Sequence, residues 1–213
     1  MAVSQGERSW LAIFAFSAML VLSSCCETNS AAARSSRIQP IDVTPSLAEQ
    51  PSPPPKIVVT AVLDAERLTG IDPALLLTIA WTESRFQADA KNRTSSAEGL
   101  LQFTKQTWLE NIKTFGGKHG FSHLANLVHR SDVGLLIVST LAGNRIWALR
   151  NDPRLATLLA AERLDHQKEL SKDRALQAVD LYLIHALGVT GANRFIEAVA
   201  KRPSAPCRLL LVT

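Results

Sequence analysis

Residues 72–86 read Asp-Pro-Ala-Leu-Leu-Leu-Thr-Ile-Ala-Trp-Thr-Glu-Ser-Arg-Phe, and they constrain everything around them. Asp72 before Pro73 is a helix start. The carboxylate accepts from an unpaired first-turn N–H, and proline suits the first helical position. Residues 74–81 are apolar apart from Thr78, so this helix is expected to be central and buried nearly all round. Glu83 follows Leu76, Ile79 and Ala80 by seven, four and three positions, which puts all four on one helical stripe. An ionised carboxylate on that stripe, near a helix C-terminus, is disfavoured by desolvation and by the helix dipole, so its pKa is expected to rise. Such an acid suits proton donation to a glycosidic oxygen. The competing reading is a helix that ends at Glu83 and leaves the carboxylate in water.

On either side the chain reads as further helices. Residues 57–69 place Val58, Val62 and Ala65 on one face and stop at Gly70, a glycine C-cap. A polar stretch covers 87–98, Thr104 caps a helix to about residue 113, and Gly116-Gly117 breaks it. The pattern predicts an apolar helix over 133–149, a helix opened by Asp152-Pro153 and reaching 168, and helices over 173–187 and 192–200. No alternating run is bounded by turn residues on both sides. The expected fold is an all-α domain over 57–203, with a tail at 204–213.

The 213 residues are 46% hydrophobic and 20% charged, which excludes a chain that is disordered by composition. The net charge of +4 is compatible with an anionic partner but too small and scattered for a nucleic-acid binder. Three cysteines cannot build a disulfide scaffold or a four-cysteine zinc site. His119, His123 and His129 do not read as a metal site, because Gly120 interrupts them and no acidic or cysteine ligand completes a pattern. No metal or cofactor is expected.

Residues 11–22 form an apolar run too short to span a bilayer, followed by Ser23, Ser24 and Cys25. Leu22-Ser23-Ser24-Cys25 resembles the bacterial lipobox. That resemblance implies a signal peptide over 1–24 and a lipid anchor on Cys25; a plainly cleaved signal is the alternative. The residue after Cys25 is not Asp, which implies the periplasmic side of the outer membrane. Residues 25–56 read as a disordered, lipid-anchored linker, with six of the ten prolines between residues 27 and 56. Cys207 reads as a small semi-buried thiol.

Glu83-Ser84-Arg85-Phe86, then Gly99-Leu100-Leu101-Gln102, resemble motifs of the soluble-lytic-transglycosylase-like family of lysozyme-fold enzymes. Ser95-Ser96-Ala97-Glu98 before the second motif and Thr107-Trp108 after it extend the likeness. So does the run from Leu181 to Gly188 with Gly191-Ala192, and the resemblance spans about 57–200. It implies a lysozyme-like fold, Glu83 as the catalytic acid and Gln102 in the floor of a saccharide cleft. Ser84 and Ser96 become candidate sugar contacts, while Phe86 and Trp108 are either faces for sugar rings or core packing. The family's third motif usually carries a tyrosine that bonds near the catalytic Glu. At the matching place stands His185, with Tyr182 one turn earlier. His185 either takes over that role or is a satisfied core histidine.

The implied activity is that of a monomeric enzyme cutting peptidoglycan glycan strands between N-acetylmuramic acid and N-acetylglucosamine. The same Glu acts as acid and then as base, closing a 1,6-anhydro ring. A hydrolytic muramidase of the same fold and an inactive peptidoglycan-binding module are the alternatives. Hydrolysis calls for a second carboxyl. The local candidate, Asp89, sits in a polar stretch and reads as a cap or a solvent-facing group.

Overall fold

A computed structural model describes residues 52–171 and 175–203. The expected signal peptide, Cys25, the 25–56 linker as far as residue 51, and the tail with Cys207 lie outside the described residues. In chain order come α1 (Lys56–Thr69), α2 (Pro73–Ser84), α3 (Lys105–Phe115) and α4 (Ser122–Ala125). A two-stranded antiparallel hairpin follows, β1 (His129–Arg130) and β2 (Leu136–Ile137). Then come α5 (Thr140–Ala148), α6 (Pro153–Leu170) and α7 (Ala178–Lys201). The fold is all-α.

Local chemistry explains most of these boundaries. Asp72 accepts from the N–H of Ala74 at 2.8 Å and Asp152 from that of Arg154 at 2.9 Å, each ahead of a proline at the first helical position. Thr104 caps α3 by accepting from the N–H of Thr107. Gly70 closes α1 with φ 68°, a left-handed geometry that glycine adopts freely. The longest packing runs between α1 and α6. Ala61 and Ala65 on one helix and Ala156, Ala160 and Ala161 on the other are all buried, and such small residues let the two axes approach closely. Leu76 and Ile79 of α2 and Trp108, Leu109 and Ile112 of α3 complete one continuous core.

One expectation is corrected. The apolar stretch 133–149 is not one helix. Gly134 turns the chain at φ 82°, the strands pair His129 with Ile137 and Arg130 with Leu136, and helix begins only at Thr140. Gln106 of α3 fixes the hairpin from outside it. Its amide donates to the Leu136 carbonyl at 2.8 Å and accepts from the Leu136 N–H at 2.9 Å. Leu136 is thereby buried while Leu135 and Ile137 face out. At the C-terminus the two expected helices are present as the two halves of α7, broken at Gly188, whose backbone (φ 70°, ψ 167°) is not helical; the first half begins at Ala178.

Trp108 belongs wholly to the core: it is 0% exposed and its indole N–H donates to the Ile146 carbonyl at 2.7 Å, joining α3 to α5. Trp108→Phe should therefore lower stability by about 1–3 kcal/mol, the penalty for leaving a buried carbonyl unpaired. Urea unfolding, with the slope unchanged, is the measurement.

Candidate active site

α2 ends one residue after Glu83. Arg85 (φ 54°) and Phe86 (φ 65°) are both left-handed, and their N–H groups fold back onto the carbonyls of Trp81 and Ala80. This closure keeps Glu83 inside the last helical turn, on the stripe of Leu76, Ile79 and Ala80, all 0% exposed. The half-buried carboxyl makes no hydrogen bond or ion pair among the described residues. Burial pushes its pKa from 4.5 up to about 7. Glu83 is thus an acid that still holds its proton near neutrality.

α7 supplies the neighbours. Tyr182 carries a buried hydroxyl beside Thr82 and Glu83. It is pushed above the ordinary phenol range first by burial and then by the Glu83 charge, with an interaction at Thr82 opposing. No partner meets that hydroxyl at good hydrogen-bond geometry, and the Thr82 hydroxyl is itself committed to the Thr78 carbonyl at 2.8 Å. One turn on, His185 packs against Phe103, with the ring centroids 5.7 Å apart and the planes tilted by 59°. Burial first, then the charge of Arg163, press its pKa to about 4, against a backbone hydrogen bond at Leu101. His185 therefore braces the 99–102 turn as a neutral ring, and it is Tyr182 that lies beside Glu83.

The turn itself is closed by hydrogen bonds. The N–H of Gly99 donates to the Ala90 carbonyl at 2.8 Å. The Gln102 amide nitrogen donates to the carbonyls of Ala90 at 3.0 Å and Gly99 at 2.8 Å. Both amide protons of Gln102 are consumed internally, which leaves Oε1 as the side chain's remaining hydrogen-bonding atom. Gln102 is a third left-handed non-glycine residue, with φ 50°. Such conformations persist only where the surroundings over-determine them.

The other candidates separate. Ser84 is buried and its hydroxyl donates to the Ala80 carbonyl at 3.0 Å, so it serves the helix end. Ser96 is exposed and its hydroxyl accepts from the Lys105 N–H at 3.2 Å. Phe86 is half-buried and lies 5.4 Å from the Trp81 ring, over which the Arg85 guanidinium sits at 4.6 Å. Asp89 is exposed. His119 is bonded to Glu162 at 2.8 Å, and among the described residues no three metal-donor side chains gather.

Residues 61–144 match the family model of the transglycosylase SLT domain. The match runs from α1 into α5, and so spans Glu83 and the 99–102 turn. It supports the SLT, lysozyme-like reading of this all-α fold.

One element of this neighbourhood escaped the sequence reading. Arg150, 3% exposed, reaches the Glu98 carboxylate at 2.7 Å, and the Asn151 amide reaches the same carboxylate at 3.1 Å. Nothing in the local sequence marks the pair, whose members lie 52 residues apart.

The raised acid has a thermodynamic signature. Between pH 4.5 and about 7 the native state keeps a proton that the unfolded chain releases, so Glu83 makes stability fall as pH rises through that window. Glu83→Gln should melt above the wild type at pH 8, with the difference shrinking below pH 5. Thermal melts at the two pH values check this.

Proposed function

We propose that this protein is a peptidoglycan lytic transglycosylase, with Glu83 as acid and then base. The observation that carries the reading is Glu83 itself, a carboxyl without ion pair or hydrogen bond among the described residues, held near pKa 7 by burial. A protonated carboxyl can hand its proton to the oxygen between N-acetylmuramic acid and N-acetylglucosamine as that bond breaks. The muramyl acetamido group stabilises the charge developing at C1. The carboxylate left behind then takes the proton of the same sugar's C6 hydroxyl as O6 closes on C1. Glu83 ends protonated, a 1,6-anhydro end is formed, and no water is consumed. The Tyr182 hydroxyl supplies a donor that favours the carboxylate between the two steps.

The neighbouring carboxyls favour this route over hydrolysis. Asp89 is exposed, and Glu98 is held by Arg150 and Asn151, so neither is poised to activate a water from the opposite face. Phe86 and the free Oε1 of Gln102 are the sugar contacts in this reading, together with Ser96 at the rim. The +4 charge suits a polymer bearing peptide carboxylates. A lipid on Cys25 and the linker to residue 56 would hold the domain on the periplasmic side of the outer membrane, at a distance from its surface.

Digestion of purified sacculi tests the proposal. The wild type should release muropeptides one water lighter than hydrolysis products, with a rate falling as pH rises through about 7, where the acid loses its proton. Glu83→Gln should release none while its circular dichroism is unchanged. Products at hydrolytic mass would instead favour a muramidase, and binding without release an inactive wall-binding module.

A further inference from the structure

We propose that Arg150 is a positioning residue for glycan binding: with Glu98 as its partner, it holds the 96–103 segment in the shape that receives the sugar. The inference rests on the transglycosylase reading, since the segment includes Gln102. The geometry is convergent. Nη1 donates to the Ser96 carbonyl at 2.7 Å and the Phe103 carbonyl at 3.1 Å, while Nη2 donates to the Glu98 carboxylate at 2.7 Å. One planar fork therefore ties both ends of the segment and a point between them, a task that a lysine's compact ammonium cannot perform at once. The head group is itself anchored: Nε approaches the Trp147 carbonyl at 3.4 Å, and the guanidinium lies 5.7 Å from the Trp147 ring centre.

The backbone of Arg150 acts as well. Gly99, with φ 89°, lies so close to the Arg150 carbonyl that any β-carbon there would overlap the oxygen. Side chain and main chain of one residue thus bound the segment on two sides. A buried guanidinium is poorly solvated, and Glu98 opposes the resulting fall in its pKa. If packing alone were needed, an apolar side chain of similar size would serve at least as well. What only the fork provides is a fixed spacing between the Ser96 and Phe103 carbonyls, which sets how Gln102 presents its remaining acceptor.

The test compares Arg150→Met, Arg150→Lys and Glu98→Gln with the wild type on soluble, uncrosslinked glycan strands. Arg150→Met should raise KM on the order of tenfold and change kcat little. The pH midpoint of kcat should stay in place, because Glu83 keeps its surroundings. The amides of Gly99 and Gln102 should exchange with solvent at least about tenfold faster, while those of α1 and α6 keep their protection. Arg150→Lys should restore part of the KM and Glu98→Gln should lie closest to wild type. Unchanged KM, unchanged exchange, or a loss that merely follows the melting temperature overturns the proposal. Glycan binding by Glu83→Gln, with and without Arg150→Met, separates the two ideas. An active Glu83→Gln protein ends the catalytic reading, whereas equal binding by both variants ends this one.

Discussion

The Glu83 side chain leaves α2 among Leu76, Ile79 and Ala80, and the features around it answer to the poor solvation of its charge there. The cause is the helix rather than the acid. An element apolar on nearly every side has to be enclosed, and a polar residue on its last turn is enclosed with it. The left-handed pair Arg85 and Phe86 then turns the chain away at once. A longer helix would carry Glu83 into its interior, and an earlier stop would hand the carboxyl to water. The raised pKa follows from where α2 ends.

Three non-glycine residues with positive φ (Arg85, Phe86 and Gln102) fall in the two segments that carry Glu83 and the 99–102 turn. Each such residue costs about 1–3 kcal/mol relative to ordinary backbone. Something must offset this locally, or the turns would relax. For Gln102 the offset is visible in its two amide hydrogen bonds to Ala90 and Gly99 and in the Arg150 fork beneath the segment. The α2 end is held by helix-closing N–H groups and by Phe86 against Trp81. Stability drawn from the core around Trp108 and Leu159 is thus converted into two fixed, strained edges.

What could be read from the sequence was local. Asp72-Pro73, Gly70, Thr104 and Asp152-Pro153 announce helix ends within four residues of themselves, and the structure places those ends accordingly. The stripe bearing Glu83 is equally local, being set by helical period alone. The hairpin was missed because its apolar residues mimic a helical run, and what fixes its register is Gln106, some thirty residues earlier. The pairing of Arg150 with Glu98 was invisible for the same reason. A charge pair spanning fifty-two residues leaves no periodic trace.

The division between Tyr182 and His185 was beyond the sequence too, because one helical turn decides which of them meets the acid. Their placement has an electrostatic consequence. His185, pressed down to about 4 by burial and Arg163, is neutral over the whole range in which Glu83 titrates. Tyr182, raised by burial and by Glu83, is neutral there as well. Of these three side chains only Glu83 changes charge between pH 5 and 9. A protonated histidine at the Tyr182 position would instead favour the carboxylate and draw the acid's pKa down. With His185 one turn along, against Phe103 and Leu101, its polarity goes into shaping the turn and the proton stays on Glu83.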